Sequence, residues 1–144
     1  MSTTTNTNQT VAGAISRAKA LRPSEVSDET MVKWLSSLDG KLWIEVISQY
    51  EKPVPSAAPV YTMDDVGENA DTELLIPAPF DQLYIDYLLM RIDLENDDYE
   101  RYNNRAVLFN EQYQAYVNHY NREHIHSKRI TRPEERRYAT WLRF

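Results

Sequence analysis

Apolar positions recur along this chain with helical spacing in four blocks, and the longest block is also the most regular. Tyr99, Tyr102, Ala106, Phe109, Tyr113, Tyr116 and Tyr120 follow one another in alternating steps of three and four. Residues so spaced share one side of an α-helix, so the seven form a single stripe, and five of them are tyrosines. A tyrosine ring is apolar, but its hydroxyl needs a partner, which suits a partly wet packing edge or a neighbouring subunit.

Upstream, Val11, Ala14, Ile15, Ala18 and Leu21 predict a short first helix that Pro23 stops. Ser27 reads as an N-cap, with Asp28 and Glu29 in the first turn, where the helix dipole favours acids. A second helix follows, with Met31, Trp34, Leu35, Leu38, Leu42, Val46 and Tyr50 on one side. Gly40 interrupts it at a cost of about 1 kcal/mol relative to alanine. The apolar register continues past that glycine, so one helix is expected rather than two.

Pro53, Pro55 and Pro59 make the stretch from Glu51 to Pro59 a linker or an extended crossing strand. The acidic stretch from Val60 to Ile76 contains Gly67, and Tyr61 and Met63 are placed to pair with Leu74–Ile76 as a short β-hairpin. Pro79 fits the first position of a third helix, Phe80 to about Leu94, with Asp81 in its first turn. That helix is apolar nearly all round, through Leu83, Tyr84, Ile85, Tyr87, Leu88, Leu89, Met90 and Ile92, which places it centrally or in an interface on two sides. Asn96 and Asp97 form a tight turn, and Asp97 with Glu100 has capping-box spacing for a fourth helix running to about Glu123. So short a turn predicts an antiparallel helix hairpin. The fold class expected is all-α: a small helical bundle built on this hairpin, with an extended acidic loop and an extended C-terminal arm.

The domain reading follows. Residues 1–9 lack an apolar anchor beyond Met1 and are expected to be disordered, and residues 10–123 form one helical domain that includes the linker and acidic loop of residues 51–77. Residues 124–144 form a basic arm, where Thr131 to Glu134 reads as another capping box. A helix of about ten residues is marginal alone, so the arm is expected to order on binding.

Charge sharpens this picture more than composition does. At 144 residues and 42% hydrophobic content the chain is long enough for one ordinary core. Its net charge is −6, but it is split. From Asp64 to Glu100 twelve acids face one base, Arg91, leaving −11, whereas from Asn121 to Phe144 seven bases face three acids, leaving +4. Both segments read as solvated surfaces, or as poles that steer head-to-tail contact with a neighbour of opposite sign. No run approaches the roughly 18 apolar residues of a membrane helix, the start lacks the pattern of a secretion signal, and zero cysteines exclude disulfide and thiol chemistry. A cytoplasmic protein, or an assembly built there, is expected.

Candidate chemistry is sparse. His119, His124 and His126 lie close to Glu123, but their spacings of five and two do not suit ligands to one ion on a helix, so no metal is expected. Asp93, Glu95, Asp97 and Asp98 surround the turn between the third and fourth helices and are read as solvent-facing acids that cap the fourth helix. Three glycines form no phosphate-cradling loop, and no nucleophile triad has supporting context, so neither enzymatic activity nor a cofactor is expected. In the tail, Arg129, Arg132, Arg136 and Arg137 alternate with Tyr138 and Trp141, groups that neutralise phosphates and stack on bases. Glu134 and Glu135 inside that patch, and the acidic body, oppose such binding.

One resemblance adds to this. The segment Leu74-Leu75-Ile76-Pro77-Ala78-Pro79-Phe80-Asp81-Gln82-Leu83-Tyr84 is followed by Asp98-Tyr99-Glu100-Arg101-Tyr102-Asn103-Asn104, Leu108-Phe109-Asn110, Tyr113-Gln114 and Tyr120-Asn121-Arg122. Together they resemble the head-to-tail adaptor (connector) proteins of long-tailed phages that infect Gram-positive bacteria. The opening Thr10-Val11-Ala12 to Leu21-Arg22-Pro23, then Asp28 to Leu38-Asp39-Gly40, is similar to the start of the same proteins. The tail after Arg122 is longer and more basic than is usual among them.

The resemblance implies a structural virion protein, a dodecameric ring beneath the capsid portal that extends the DNA channel and carries the tail platform. It implies no cofactor and locates the chain at the virion neck, with assembly in the host cytoplasm. Its implied partners are the portal protein, a downstream neck or tail-completion protein, further copies of itself, and genomic DNA that passes without specific binding. On this reading Arg129, Arg132, Arg136, Arg137, Tyr138, Trp141 and Phe144 dock on the portal. Tyr84, Tyr87, Tyr99, Tyr102, Phe109, Tyr113, Tyr116 and Tyr120 form the core or the subunit interface. Asp64, Asp65, Glu68 and Asp71 face the channel or the tail side. Another ring-forming assembly or tail-completion protein is the alternative, and a DNA-binding accessory protein comes third.

Overall fold

A computed structural model describes residues 9–124 of the protein. Among them are four α-helices, two 3-10 turns and no strand: α1 (Val11–Leu21), α2 (Asp28–Glu45), α3 (Gln82–Glu95) and α4 (Tyr99–Glu123). The chain is all-α. The N-terminal segment expected to be disordered lies outside the described residues except for Gln9, and the C-terminal arm lies outside them after His124.

Helix α1 starts where Thr10 caps it, the threonine hydroxyl accepting from the Gly13 amide at 2.9 Å. Val11, Ala14, Ile15 and Ala18 are buried, but Leu21 is 59% exposed, because it falls at the edge of the stripe on the last helical turn. Ser27 caps α2 by accepting from the Thr30 amide at 3.2 Å, and the helix passes through Gly40 unbroken. It stops earlier than the apolar register predicts. Val46 closes α2, a 3-10 turn spans Ile47–Gln49, and Tyr50 is extended. Ser48 Oγ donates to the Ile44 carbonyl at 2.7 Å, a side-chain capture that competes with continued helix. Val46 and Tyr50 stay buried all the same, Tyr50 edge-on to Tyr120 at 5.6 Å.

The stretch from residue 51 to 62 is irregular and is fixed where Trp43 Nε1 donates to the Pro55 carbonyl at 2.8 Å. The expected β-hairpin is not formed. Met63–Asp65 is a 3-10 turn, and the backbone around Leu74 pairs instead with the entry to α1. Leu74 N donates to Gln9 O at 2.9 Å, Val11 N to Thr72 O at 3.0 Å, and Thr10 and Glu73 make an isolated antiparallel bridge. The Tyr61 amide donates instead to Ser36 Oγ at 3.1 Å and the Leu75 amide to the Asp39 carboxylate at 3.0 Å, so neither donates to the other's backbone.

Helix α3 begins at Gln82, later than the Phe80 start expected, and Pro79 precedes the helix rather than opening it. Phe80 sits in a turn, with its ring packed edge-on to Tyr116 at 5.4 Å. Leu83, Tyr84, Ile85, Leu88, Leu89, Met90 and Ile92 are all buried, as a helix apolar on every side requires of a central element. The cap of α4 is Asp98, which accepts from the Arg101 amide at 3.2 Å; Asp97, the cap predicted, has φ 59° and forms the turn. Aspartate tolerates the left-handed region better than most residues, so it serves the turn and leaves the cap to its neighbour. Along the α3–α4 contact, Phe80 meets Tyr116, Tyr87 meets Phe109, and the Asp98 amide reaches the Asp93 carbonyl.

Candidate assembly surfaces

The tyrosine stripe of α4 is largely covered within the chain. Phe109, Tyr116 and Tyr120 are buried, Tyr102 and Tyr113 are half-buried, and Tyr99 is exposed. Of the tyrosines of α3, Tyr84 is fully buried and Tyr87 half-buried. The rings interlock: Phe109 packs on Tyr87 at 5.1 Å and on Tyr113 at 5.7 Å. Burial raises the phenol pKa of Tyr87 and Tyr120 and pushes Tyr113 and Tyr116 up to about 12. Tyr113 also carries a hydroxyl that is buried without a hydrogen-bond partner. It lines a narrow groove of about 190 Å³ with Leu38, Lys41, Tyr87, Phe109 and Asn110.

Three buried acids, absent from the sequence-based reading as core groups, organise the interior. Asp39 of α2 accepts from Tyr61 Oη at 2.5 Å, Tyr84 Oη at 2.6 Å and the Leu75 amide at 3.0 Å, and Tyr84 Oη accepts from the Ile76 amide at 2.8 Å. One carboxylate thus ties α2, α3 and both ends of the acidic loop. Burial pushes the Asp39 carboxyl up, against the opposing pull of its three donors, and both tyrosines are raised by the same burial and by the carboxylate beside them. Asp86 of α3 accepts from Arg105 at 3.1 Å and from Gln112 at 2.7 Å, which fixes α3 to α4.

Asp93 corrects an expectation. It does not face solvent with its neighbours but is buried and paired with Arg22, at the end of α1. Its second oxygen is buried without a partner. Glu95 and Asp97 are exposed, and only Asp98 caps α4. A signal for these buried acids existed in the spacing. Asp39 falls four residues after Leu35 and three before Leu42, on the face of α2 that turns inward.

In the acidic loop, Asp64, Glu68 and Asp71 are exposed, whereas Asp65 is half-buried and engaged. Its carboxylate accepts from the Thr62 amide and from the Thr72 hydroxyl, both at 2.7 Å. The histidines do not converge. His124 stacks on Tyr120 at 3.8 Å, His119 packs on Phe80 at 5.0 Å, and His126 lies outside the described residues. Among the described residues no cluster of His, Cys, Asp or Glu is arranged to hold a metal ion, and no helix is long and apolar enough to cross a membrane. The expected docking residues Arg129, Arg132, Arg136, Arg137, Tyr138, Trp141 and Phe144 lie outside the described residues. Known protein families, curated proteins and solved structures contain no match to this chain.

Proposed function

We propose that this chain is a structural subunit of a phage head-to-tail adaptor, a ring between the capsid portal and the tail with α3 and α4 as its hairpin core. The carrying observation is the sequence pattern itself, read with its physical content. Asp39 belongs to one part of the resembling pattern and Leu75, Ile76 and Tyr84 to another, and the two parts meet in one hydrogen-bonded cluster. A pattern whose members hold one another in place is a pattern that specifies a fold. The acidic body supports the reading too, since a like-charged wall does not grip a passing DNA duplex. Within the adaptor, the basic arm docks on the portal, and catalysis plays no part.

Imaging purified virions with a label on this chain tests the proposal, and the expected outcome is a ring at the neck. Its absence there would sink it. The arm has a separate test: removing residues 125–144 leaves His124 its stack on Tyr120 and is expected to keep the helical body folded while abolishing co-sedimentation with the portal. Unchanged co-sedimentation would transfer the portal contact to the body.

A further inference from the structure

We infer that the cleft lined by Arg22, Arg101, Asn104, Arg105 and Leu108 receives the acidic loop around Asp64, Glu68 and Asp71 of a second copy of this chain. The inference deepens the adaptor reading by naming a contact between ring neighbours, and it rests on that reading for a closed ring but not for the contact. The cleft holds about 400 Å³ and lies where the end of α1 meets the first turns of α4.

The guanidinium groups of Arg22 and Arg105 are drawn together by the buried acids of α3. Arg22 pairs with Asp93 and Arg105 with Asp86 at 3.1 Å, while Arg101 reaches Asp98 at 3.3 Å along its own helix. Each pairing occupies one edge of a group that carries five N–H donors in a fixed fork. Asp93 and Asp86 are buried, so Arg22 and Arg105 turn their remaining donors to the cleft, while Asp98 beside Arg101 is itself partly exposed. The three groups also repel: burial first, then the fields of Arg101 and Arg105, lowers the pKa of Arg22. An incoming carboxylate relieves that repulsion.

The occupant is identified by charge, shape and position. Asp64, Glu68 and Asp71 are exposed, and no base lies between Asp64 and Glu73. The loop is already set for docking, because Asp65 bonds to Thr62 and Thr72 and the Asn69 amide donates to the Asp64 carbonyl at 2.7 Å. Little chain entropy is then lost on association. Met63, exposed on the same loop, offers an apolar contact to Leu108, which is 45% exposed in the cleft. Asp98, paired with Arg101, already takes up part of the charge there, which leaves room for single carboxylates rather than for a uniform polyanion such as duplex DNA.

The two patches cannot meet within one copy. Thr72 and Glu73 hold the loop at the first residues of α1, and Arg22 follows the last. The 11 residues of that helix span roughly 16 Å, about twice the screening length at physiological salt. Contact between two different patches is heterologous and propagates head to tail, closing into a ring or running on as a filament.

Complementary charge reversal tests this on the purified full chain by sedimentation at low salt. Arg101→Glu alone and Glu68→Lys with Asp71→Lys alone are each expected to weaken self-association by about tenfold or more, because each sets like charges face to face. Mixing the two variants is expected to restore it, since every contact in an alternating chain then pairs opposite charges. All three side chains are exposed, and Asn104→Glu, on the same cleft, replaces Arg101→Glu should that variant fail to fold. Wild-type chain that stays monomeric at millimolar concentration and low salt would overturn the inference. So would variants that associate as wild type, or a mixture without recovery. If Arg101→Glu instead loses binding to a duplex DNA fragment while self-association is unchanged, the cleft is a nucleic-acid site and the inference is also overturned. A chain missing from the virion neck would defeat the adaptor reading and leave this result standing.

Discussion

At the scale of single residues, Asp39 has the most neighbours that depend on it. Tyr61, Tyr84 and the Leu75 amide all donate to it, so removing the carboxylate leaves three buried or half-buried donors without their acceptor. Each such orphan costs about 1–3 kcal/mol, so Asp39→Ala is expected to remove most of the stability of a domain this size, whereas Tyr84→Phe, which also strands the Ile76 amide, costs about 1–3 kcal/mol. Urea unfolding of the two variants checks the order; a milder effect for Asp39→Ala than for Tyr84→Phe would refute it. The carboxyl also sets a pH dependence. Its folded-state pKa is raised, chiefly by burial, so its stabilising share is complete below the unfolded value of about 4 and is lost as pH rises through the folded value. The stability difference between wild type and Asp39→Asn is therefore expected to shrink from acid pH upward. A difference that grows with pH would show that the three donors outweigh burial.

At the scale of elements, the two helix starts that differ in legibility also differ in test. Ser27 was readable because a serine before two acids and an apolar register is a complete local signal. The start of α4 offered two adjacent aspartates, and only backbone geometry separates their roles. Asp98→Ala is expected to cost about 1 kcal/mol as a lost N-cap, while Asp97→Gly, at φ 59°, is expected to be neutral or stabilising. Gly40 supplies a complementary case. A Cβ built there meets nothing within 4 Å, and its φ is not positive, so Gly40→Ala is expected to stabilise α2 by about 1 kcal/mol. Thermal melts followed by circular dichroism read all three, and a destabilised Gly40→Ala would show that the position is packed by something outside the single chain. Helix existence was legible throughout, because the 3.6-residue period is local. What was not legible is what helices do with distant partners: Arg22 and Asp93 are 71 residues apart, and Leu74 pairs with Gln9 rather than with its near neighbours. The cleft was invisible for the same reason, since its residues are assembled by acids that a linear reading places in solvent.

At the scale of the whole molecule, the aromatic stripe acts as a shared support rather than as a row of separate contacts. Tyr50 and His124 both close on Tyr120, Phe80 closes on Tyr116, and Tyr87 closes on Phe109. The hydroxyls of Tyr87, Tyr113, Tyr116 and Tyr120, with Tyr61 and Tyr84 deeper inside, ionise under one constraint: burial disfavours the charged phenolate. Every one of these shifts has the same sign. The phenol pKa of Tyr61, Tyr84, Tyr87 and Tyr120 is raised, and those of Tyr113 and Tyr116 reach about 12, with burial as the leading cause. A raised folded-state value means the stabilising share is full below the unfolded value of about 10 and declines as pH climbs through the folded ones. The chain is thus expected to unfold cooperatively in alkali, with phenolate absorbance of the buried tyrosines and loss of helical circular dichroism rising together between about pH 10 and 12. In urea the same tyrosines should titrate at the ordinary phenol value. Phenolate appearing in full while the helices persist would mean the stripe is wetter than its burial indicates, and a face that wet would be free to be covered by another copy instead of by its own chain.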